Sequence, residues 1–574
     1  MSRRVSVFVL LAALALAGTM SGIAASHTFA APRNATTSLA VPSVDPNYIY
    51  DQLAYMVTSF QHREAGYDNN LPVAMNGHDE FATYWTQEIQ KDLAGFGPSV
   101  RRDTFPIAGW SGRPAIVPAF NVEVTVPGET QAGQVVVIGC HYDGEASSTQ
   151  SANDDGSGCA IELGVAKAMA EYWRIHHVYP ARTLRFVLFD AEEQGLYGSF
   201  HYLNSAVNGD VGNIVAMFNE EQNGIAYPLR FLGKMSNPLL PFYIDISPLQ
   251  NNQLYPNQSQ LPQTQIDRIT RFRALLAEAY PAVFTEFQAL GYTTLDYRDP
   301  SGQTDTQPVF TADQLGNVQP EDDTLGSSDQ VPFTLAGVAC ATFVGNSTYY
   351  DRNPPPWSYP FDQPQDTIQL MNTYASGTAA KAPALGLALA LPGMLTTWML
   401  SQPDVLGESP ADVKPLAAIG DVGVAQAGQS LALDASASYD PTGRPLTSYA
   451  WSFGDGATAS GPTVTHTYAA PGTYALALTV AGPSGSRTTQ KSITVGTQPT
   501  TYPNPYAQFP QNGRPPANPA VTLPIPNGAL SSSSPGPTGG ELSGVVIALA
   551  VLFVLAILVA LGAALVFTLR KNRA

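Results

Sequence analysis

The chain has 574 residues, with 28 Lys and Arg against 46 Asp and Glu, a formal charge of −18 and a pI near 4.8. That balance argues against nucleic acid as a partner, because phosphate binding draws on a surplus of basic side chains. The length allows three or four domains. The three cysteines, Cys140, Cys159 and Cys340, give no disulfide framework; each lies in or beside an apolar segment, so buried free thiols are expected.

Residues 1–30 begin Met-Ser-Arg-Arg, continue into a short apolar run and end in small residues, as a secretory signal peptide does. From Asp45 to Pro403 strand-like and helix-like patterns alternate. The runs QVVVIGC, TLRFVLFD, NIVAMFN and VACATFV are short, apolar and rich in Val, Ile and Phe, as strands buried on both faces are. GCAIELGVAKAMAEYW, between the first two runs, has helical periodicity and good helix formers. The alternation predicts an α/β domain over residues 45–403, with a mixed, mainly parallel twisted sheet and helices on both faces. Residues 235–330, rich in Pro, Gln and Asn, are read as an insertion that caps the site.

Residues 414–496 change character to short alternating strands separated by Gly, Pro and Asp turns, which predicts an all-β Ig-like sandwich. Residues 497–542 are Pro-, Ser- and Gly-rich and read as an extended stalk. Residues 543–569 hold about 25 consecutive uncharged residues, enough to cross a bilayer as one helix. Arg570, Lys571 and Arg573 follow, which places the tail 570–574 in the cytoplasm and the preceding domains outside.

The chemistry gathers at strand ends, where open α/β sheets bind ligands. VVVIGCHYDG ends in His141 and Asp143, a spacing that suits an imidazole ligand steadied by a nearby carboxylate, though a turn would also explain it. SANDDGSG places Asp154 and Asp155 before a helix, where Asp155 or Ser157 also suits the N-cap. FDAEEQG offers Glu192 and Glu193, fit for a general base and a metal ligand, or simply for charges favouring a helix N-terminus. NIVAMFNEEQNG ends a fourth strand in Glu220 and Glu221.

Taken together, VPGETQAGQVVVIGCHYDG, NDDGSG, FDAEEQGLYGS and SSDQVPFTLAGV resemble the co-catalytic zinc aminopeptidases and glutamate carboxypeptidases, peptidase family M28. The resemblance runs from about Asn121 to Asn372. It implies a hydrolase acting on peptide or protein substrates with two divalent ions, zinc by family habit. His141 then ligates the first ion with Asp143 behind it, Asp154 bridges, Glu192 is the general base and Glu193 ligates the second ion. Glu221 stands where the family carries Asp, with Glu220 as the fallback.

The last ligand, a histidine in the family, aligns with Asp362 in YPFDQPQDT, and no histidine occurs between 202 and 465 to replace it. Asp362 is either a carboxylate ligand in a more anionic site, which would admit Mn²⁺ or another harder ion, or the defect that abolishes it. The family also carries His after Ser328-Asp329, where this chain has Gln330. YAWSFGDGATASGPTVTHTYAAPGTY in turn resembles a PKD domain, which implies a spacer or adhesion module with His466 as a structural residue. The resulting expectation is a cell-surface metallo-aminopeptidase. The alternatives are a catalytically impaired surface binding or adhesion protein, and a single-metal amide enzyme of the glutaminyl cyclase type.

Overall fold

The computed structural model describes residues 41–496, apart from internal segments of which 67–76, 309–319, 347–359 and 375–383 are the longest. The expected signal peptide, stalk, C-terminal span and tail lie outside the described residues. Eight strands form the main sheet: β1 (Ser99–Ala108), β2 (Ile116–Val126), β3 (Gln131–His141), β4 (Arg182–Phe189), β5 (Ile214–Ala226), β6 (Phe242–Ile246), β7 (Glu321–Asp322) and β8 (Ala339–Asn346). Their order is β1-β2-β4-β3-β5-β8-β6-β7. The central strands β4, β3, β5 and β8 run parallel, while β1, β2 and β6 pair antiparallel on the flanks, so the sheet is mixed with a parallel centre.

Alternation along the central strands explains their continuous apolarity. Val136, Ile138 and Cys140 of β3 face one core layer, and Val135 and Val137 face the other. The first layer is covered by α1 (Pro46–Ser59), α2 (His78–Asp92), α3 (Gly156–His176) and neighbouring helices. The second lies against Tyr202, Leu203 and Phe333. Phe333 belongs to the short helix Gln330–Leu335. Asp155 caps α3 by accepting from Gly158 N at 2.8 Å, which leaves its neighbour Asp154 on the loop.

Two expectations change. Cys140 and Cys159 are joined as a disulfide and are not free thiols; a strand end and the first turn of the following helix bring them together, a proximity that apolarity alone does not reveal. Cys340 is buried and free. The 235–330 segment is built into the domain in part. β6 is a strand of the main sheet, and the helix Gln263–Ala289 buries Ile269, Phe272 and Leu276 in the core, with Phe272 against Phe218 of β5 at 5.4 Å. Its polar surroundings disguised that apolar stripe. The helix Ala384–Ser401 is apolar enough to cross a membrane, yet 89% of it is buried inside the domain, as a core helix is.

Residues 425–496 form strands whose buried core includes Trp451, Phe453, Tyr468, Leu476 and Leu478. Trp451 Nε1 donates to Gly461 O at 2.9 Å and Tyr468 Oη to Phe453 O at 2.9 Å. His466 stacks on Phe453 at 3.9 Å and meets Asp455 at 2.8 Å, a structural use of that ring.

Candidate metal centre

β3 connects through α3 to β4 on one side, and β5 lies on β3's other side before the chain continues to β8. The carboxyl ends of β3 and β5 therefore flank the point where the winding reverses, the place at which open α/β sheets bind ligands. His141 ends β3, and Glu221 lies near the end of β5. Their nearest atoms, Nε2 and Oε1, are 3.8 Å apart. His141 Nε2 lies 2.9 Å from Asp154 Oδ1, while Nδ1 faces the Asp143 carbonyl at 3.2 Å. Two groups of buried ligand atoms converge: His141 with Asp154 and Glu193, and His141 with Asp155 and Glu221.

The supports are as specific as the ligands. Asp143 turns its carboxylate to the loop after β4, accepting Glu192 N at 3.1 Å and Glu193 N at 3.3 Å. It thereby sets the backbone of the acid pair, and its Oδ1 also lies 3.5 Å from His141 Nδ1. Asp190 anchors the same loop from below: it accepts Phe120 N at 2.7 Å and meets His78 Nε2 at 2.9 Å. Asp366, from the Pro-Gln-Asp-Thr stretch, accepts Asn153 N at 2.9 Å and Asp154 N at 3.1 Å. Gln222 Nε2 donates to Asp154 Oδ2 at 2.9 Å, and Ser328 Oγ donates to Glu221 Oε2 at 2.5 Å. Glu220, the fallback ligand, points elsewhere and accepts from Thr396 Oγ1 at 2.8 Å. Successive residues of a strand face opposite sides, which separates it from Glu221.

Asp362 stands beside Glu193 and Asp154, outside both ligand groups. Its φ is +58°, a left-handed backbone that Asp tolerates better than most residues. Ser147 Oγ holds its carbonyl at 2.5 Å. The residue is 4% exposed, and neither carboxylate oxygen meets an N–H or hydroxyl donor among the described residues.

The electrostatics are one-sided. Burial, then neighbouring negative charge, pushes Asp155, Glu192, Glu193 and Asp362 well above the usual carboxylate range. Burial would lower His141, but the charges of Glu192 and Glu221 outweigh it and raise the imidazole. Burial also lifts Asp329 to about 7, against the pull of His141. Arg63 is buried nearby, yet it donates to the carbonyls of Tyr142, Gln150 and Ser151 at 2.6–2.8 Å. Desolvation lowers its pKa to about 10 against the raising charges of Asp366 and Asp155. Clustered carboxylates with oxygens lacking donors at Asp155, Glu221 and Asp362 fit a site for divalent cations.

Residues 121–265 match the model of Peptidase family M28, and residues 412–496 match that of the PKD domain. The M28 match ends before Ser328 and Asp362. A probable zinc metalloprotease of Pyricularia oryzae is 34% identical over 99 residues, 15% of this chain and 18% of that protein. An aminopeptidase of Pseudomonas aeruginosa is 33% identical over 161 residues, 28% of this chain and 25% of that protein. The chain thus spans well under a third of the length of these relatives. A glutaminyl cyclase structure from Porphyromonas gingivalis aligns with a TM-score of 0.38 at 14% identity, covering 62% of this chain and 98% of that one.

Every ligand position expected in the M28 segment lies around one crevice, with His141, Asp154, Glu193 and Glu221 in the two converging groups. Sequence reasoning missed Asp329, Gln222 and Arg63. Asp329 is itself the middle residue of the Ser328-Asp329-Gln330 stretch that carried the resemblance, so a signal was present. Arg63 comes from the loop after α1, and no local pattern there points to a crevice made by other strands.

Proposed function

We propose that this chain is a cell-surface metal-dependent exopeptidase, an aminopeptidase that hydrolyses N-terminal peptide bonds. The observation that carries the reading is Glu192. It is a buried residue whose backbone N–H is held by Asp143 and whose carboxylate feels the charges of His141, Glu221 and Glu193. The aminopeptidase choice is supported by the Pseudomonas relative's name. The surface location is supported by the apolar stretch and basic tail at residues 543–574.

His141, Asp154, Glu193, Glu221 and Asp362 would hold two divalent ions, of which zinc is the choice the relatives' names favour. When bound, such ions polarise the scissile carbonyl and acidify water. Glu192 takes a proton from the attacking water and delivers it to the leaving amine, so that amide and water give carboxylate and free amine. Burial raises its pKa, which strengthens it as a base and suits that return of the proton. Asp143 keeps both glutamates aimed, and Asp366 holds the Asp154 backbone.

The test uses the full chain in detergent with aminoacyl-nitroanilide substrates. Hydrolysis is expected to disappear with a chelator and return with Zn²⁺ or Mn²⁺. Glu192→Gln should lower kcat by about 10²–10⁴-fold while metal content stays at the wild-type level. Hydrolysis absent from the metal-loaded wild type would favour a surface binding or adhesion role. Wild-type kcat in Glu192→Gln would remove Glu192 as the base.

A further inference from the structure

β5 puts Asn219 and Glu221 on one face, because side chains two apart along a strand point the same way. A chain of hydrogen bonds runs from that face to the segment after β6. Ser328 Oγ donates to Glu221 Oε2 at 2.5 Å. Asn219 Nδ2 donates to Ser328 Oγ at 2.9 Å and to Gln330 Oε1 at 3.4 Å. Gln330 Nε2 donates to Asp323 Oδ2 at 3.0 Å, and Tyr255 Oη donates to the same oxygen at 2.5 Å. Asn252 Nδ2 holds the Asp323 carbonyl at 2.8 Å. Glu221, Asn219, Ser328, Gln330, Asp323 and Tyr255 are all buried.

The direction of this chain is set from its far end. The Asp323 carboxylate accepts, so Gln330 turns its amide NH₂ to it and its carbonyl to Asn219. Asn219 presents its own NH₂ to Ser328, which leaves the Ser328 hydroxyl proton for Glu221. Glu221 Oε2 is thereby occupied. Its Oε1, 3.8 Å from His141 Nε2, meets no donor among the described residues. Tyr255 also packs in one apolar cluster with Leu196 and Phe200, and Leu196 N donates to Glu192 O at 2.8 Å. The same clamp therefore braces the loop that carries Glu192 and Glu193.

We propose that Gln330 is a positioning residue for the metal ligand Glu221: through Asn219 and Ser328 it holds Glu221 Oε2 and leaves Oε1 to the cation, while Tyr255 and Asp323 hold Gln330. The proposal rests on the metal-dependent reading above. A buried amide suits the task because it offers an acceptor and a donor, and both are used. An apolar side chain at 330 would leave Asn219 and Asp323 each short of a partner, and the Ser328 hydroxyl would be free to turn from Glu221.

The test titrates Zn²⁺ alone into the full chain, stripped of metal and held in detergent, and follows affinity and stoichiometry by calorimetry. Gln330→Met should weaken Zn²⁺ binding by about tenfold or more. Gln330→His should recover part of that loss at about pH 8, where a neutral imidazole also offers one donor and one acceptor. Tyr255→Phe, which removes one of the two donors to Asp323 Oδ2, should weaken binding by a smaller factor. With Co²⁺ in place of Zn²⁺, the visible absorption of the bound ion should shift in Gln330→Met and return in Gln330→His. Thermal melts of the metal-free proteins check that each variant is folded. A residue that served the fold alone would lower the melting temperature and leave affinity and spectrum unmoved. Wild-type Zn²⁺ affinity and Co²⁺ spectrum in a folded Gln330→Met protein would overturn the positioning role and leave the peptidase reading standing; should that variant not fold, the same result in Tyr255→Phe would do so. A wild-type chain that binds no divalent ion would overturn both.

Discussion

His78 illustrates how a residue outside the ligand set fixes it. Its Nε2 meets Asp190 at 2.9 Å, and its ring lies 4.6 Å from that of Tyr142. Burial on its own would lower the imidazole, but the charges of Asp190 and Asp79 and their hydrogen bonds prevail and raise its pKa to about 9. A folded-state pKa above the unfolded value contributes stability that is fully present below about pH 6.5 and is lost as pH rises through about 9. His78→Gln should therefore cost roughly 3 kcal/mol at pH 6 and much less at pH 10, as an upper figure from that shift. Denaturant titrations at the two pH values check it; an equal loss at both would show that the ring acts by packing alone. The converging residues were largely legible: His141, Glu193 and Glu221 lie in or beside apolar strand runs, and Asp154 precedes the helix that follows β3. Asp190 belongs to the FDAEEQG stretch, but its anchoring partner His78 lies far away in sequence, and nothing local to either residue announces the pair.

At the scale of elements, the strand-to-helix unit β3–α3 holds half of the site. Cys140 precedes His141, and Cys159 follows Asp155 by one helical turn, so their disulfide ties the two ligand-bearing ends directly. The sequence separation is 19 residues, and closing a loop of that size stabilises by on the order of 3 kcal/mol in the chain-entropy account. The double variant Cys140→Ser/Cys159→Ser should lose about that amount in equilibrium unfolding. A reductant should cause a similar loss in the wild type and none in the variant. If reduction leaves wild-type stability unchanged, the bridge adds nothing to the fold. Two buried cysteines in apolar runs read equally well as thiols, and only the packing of α3 against β3 decides between the readings.

At the scale of the molecule, the PKD domain docks on the end of β3 remote from the site. Arg487 Nη2 donates to Glu129 Oε1 at 2.6 Å and its Nε to Pro415 O at 2.9 Å. A side chain at Gly133 would collide with the Gln490 carbonyl, so the backbones touch there. Gly133 and His141 are eight residues apart on one strand, or about 26 Å, which leaves the crevice clear of the sandwich. The Arg487–Glu129 pair is mostly desolvated, and a double-mutant cycle with Arg487→Ala and Glu129→Ala should give a coupling of about 1–3 kcal/mol in unfolding of the full chain. A coupling near zero would mean that the two domains do not stabilise each other through this contact.

The sequence by itself determined the α/β character of residues 45–403 and the β character of residues 414–496, and it brought forward the acids that lie near the ends of β3, β4 and β5. Apolar period and turn chemistry are local, and the acids of the centre sit beside the strands that carry them. Tertiary structure alone decided that Arg63 is buried beside the cluster, that Glu220 turns to Thr396, that Cys140 meets Cys159 and that the helix Gln263–Ala289 belongs to the core. Each of these depends on which elements pack together, and long-range packing leaves no mark on the residues nearby. Asp362 lies between the two cases: its alignment was visible in the chain, but its burial without a donor, beside Glu193, belongs to the fold.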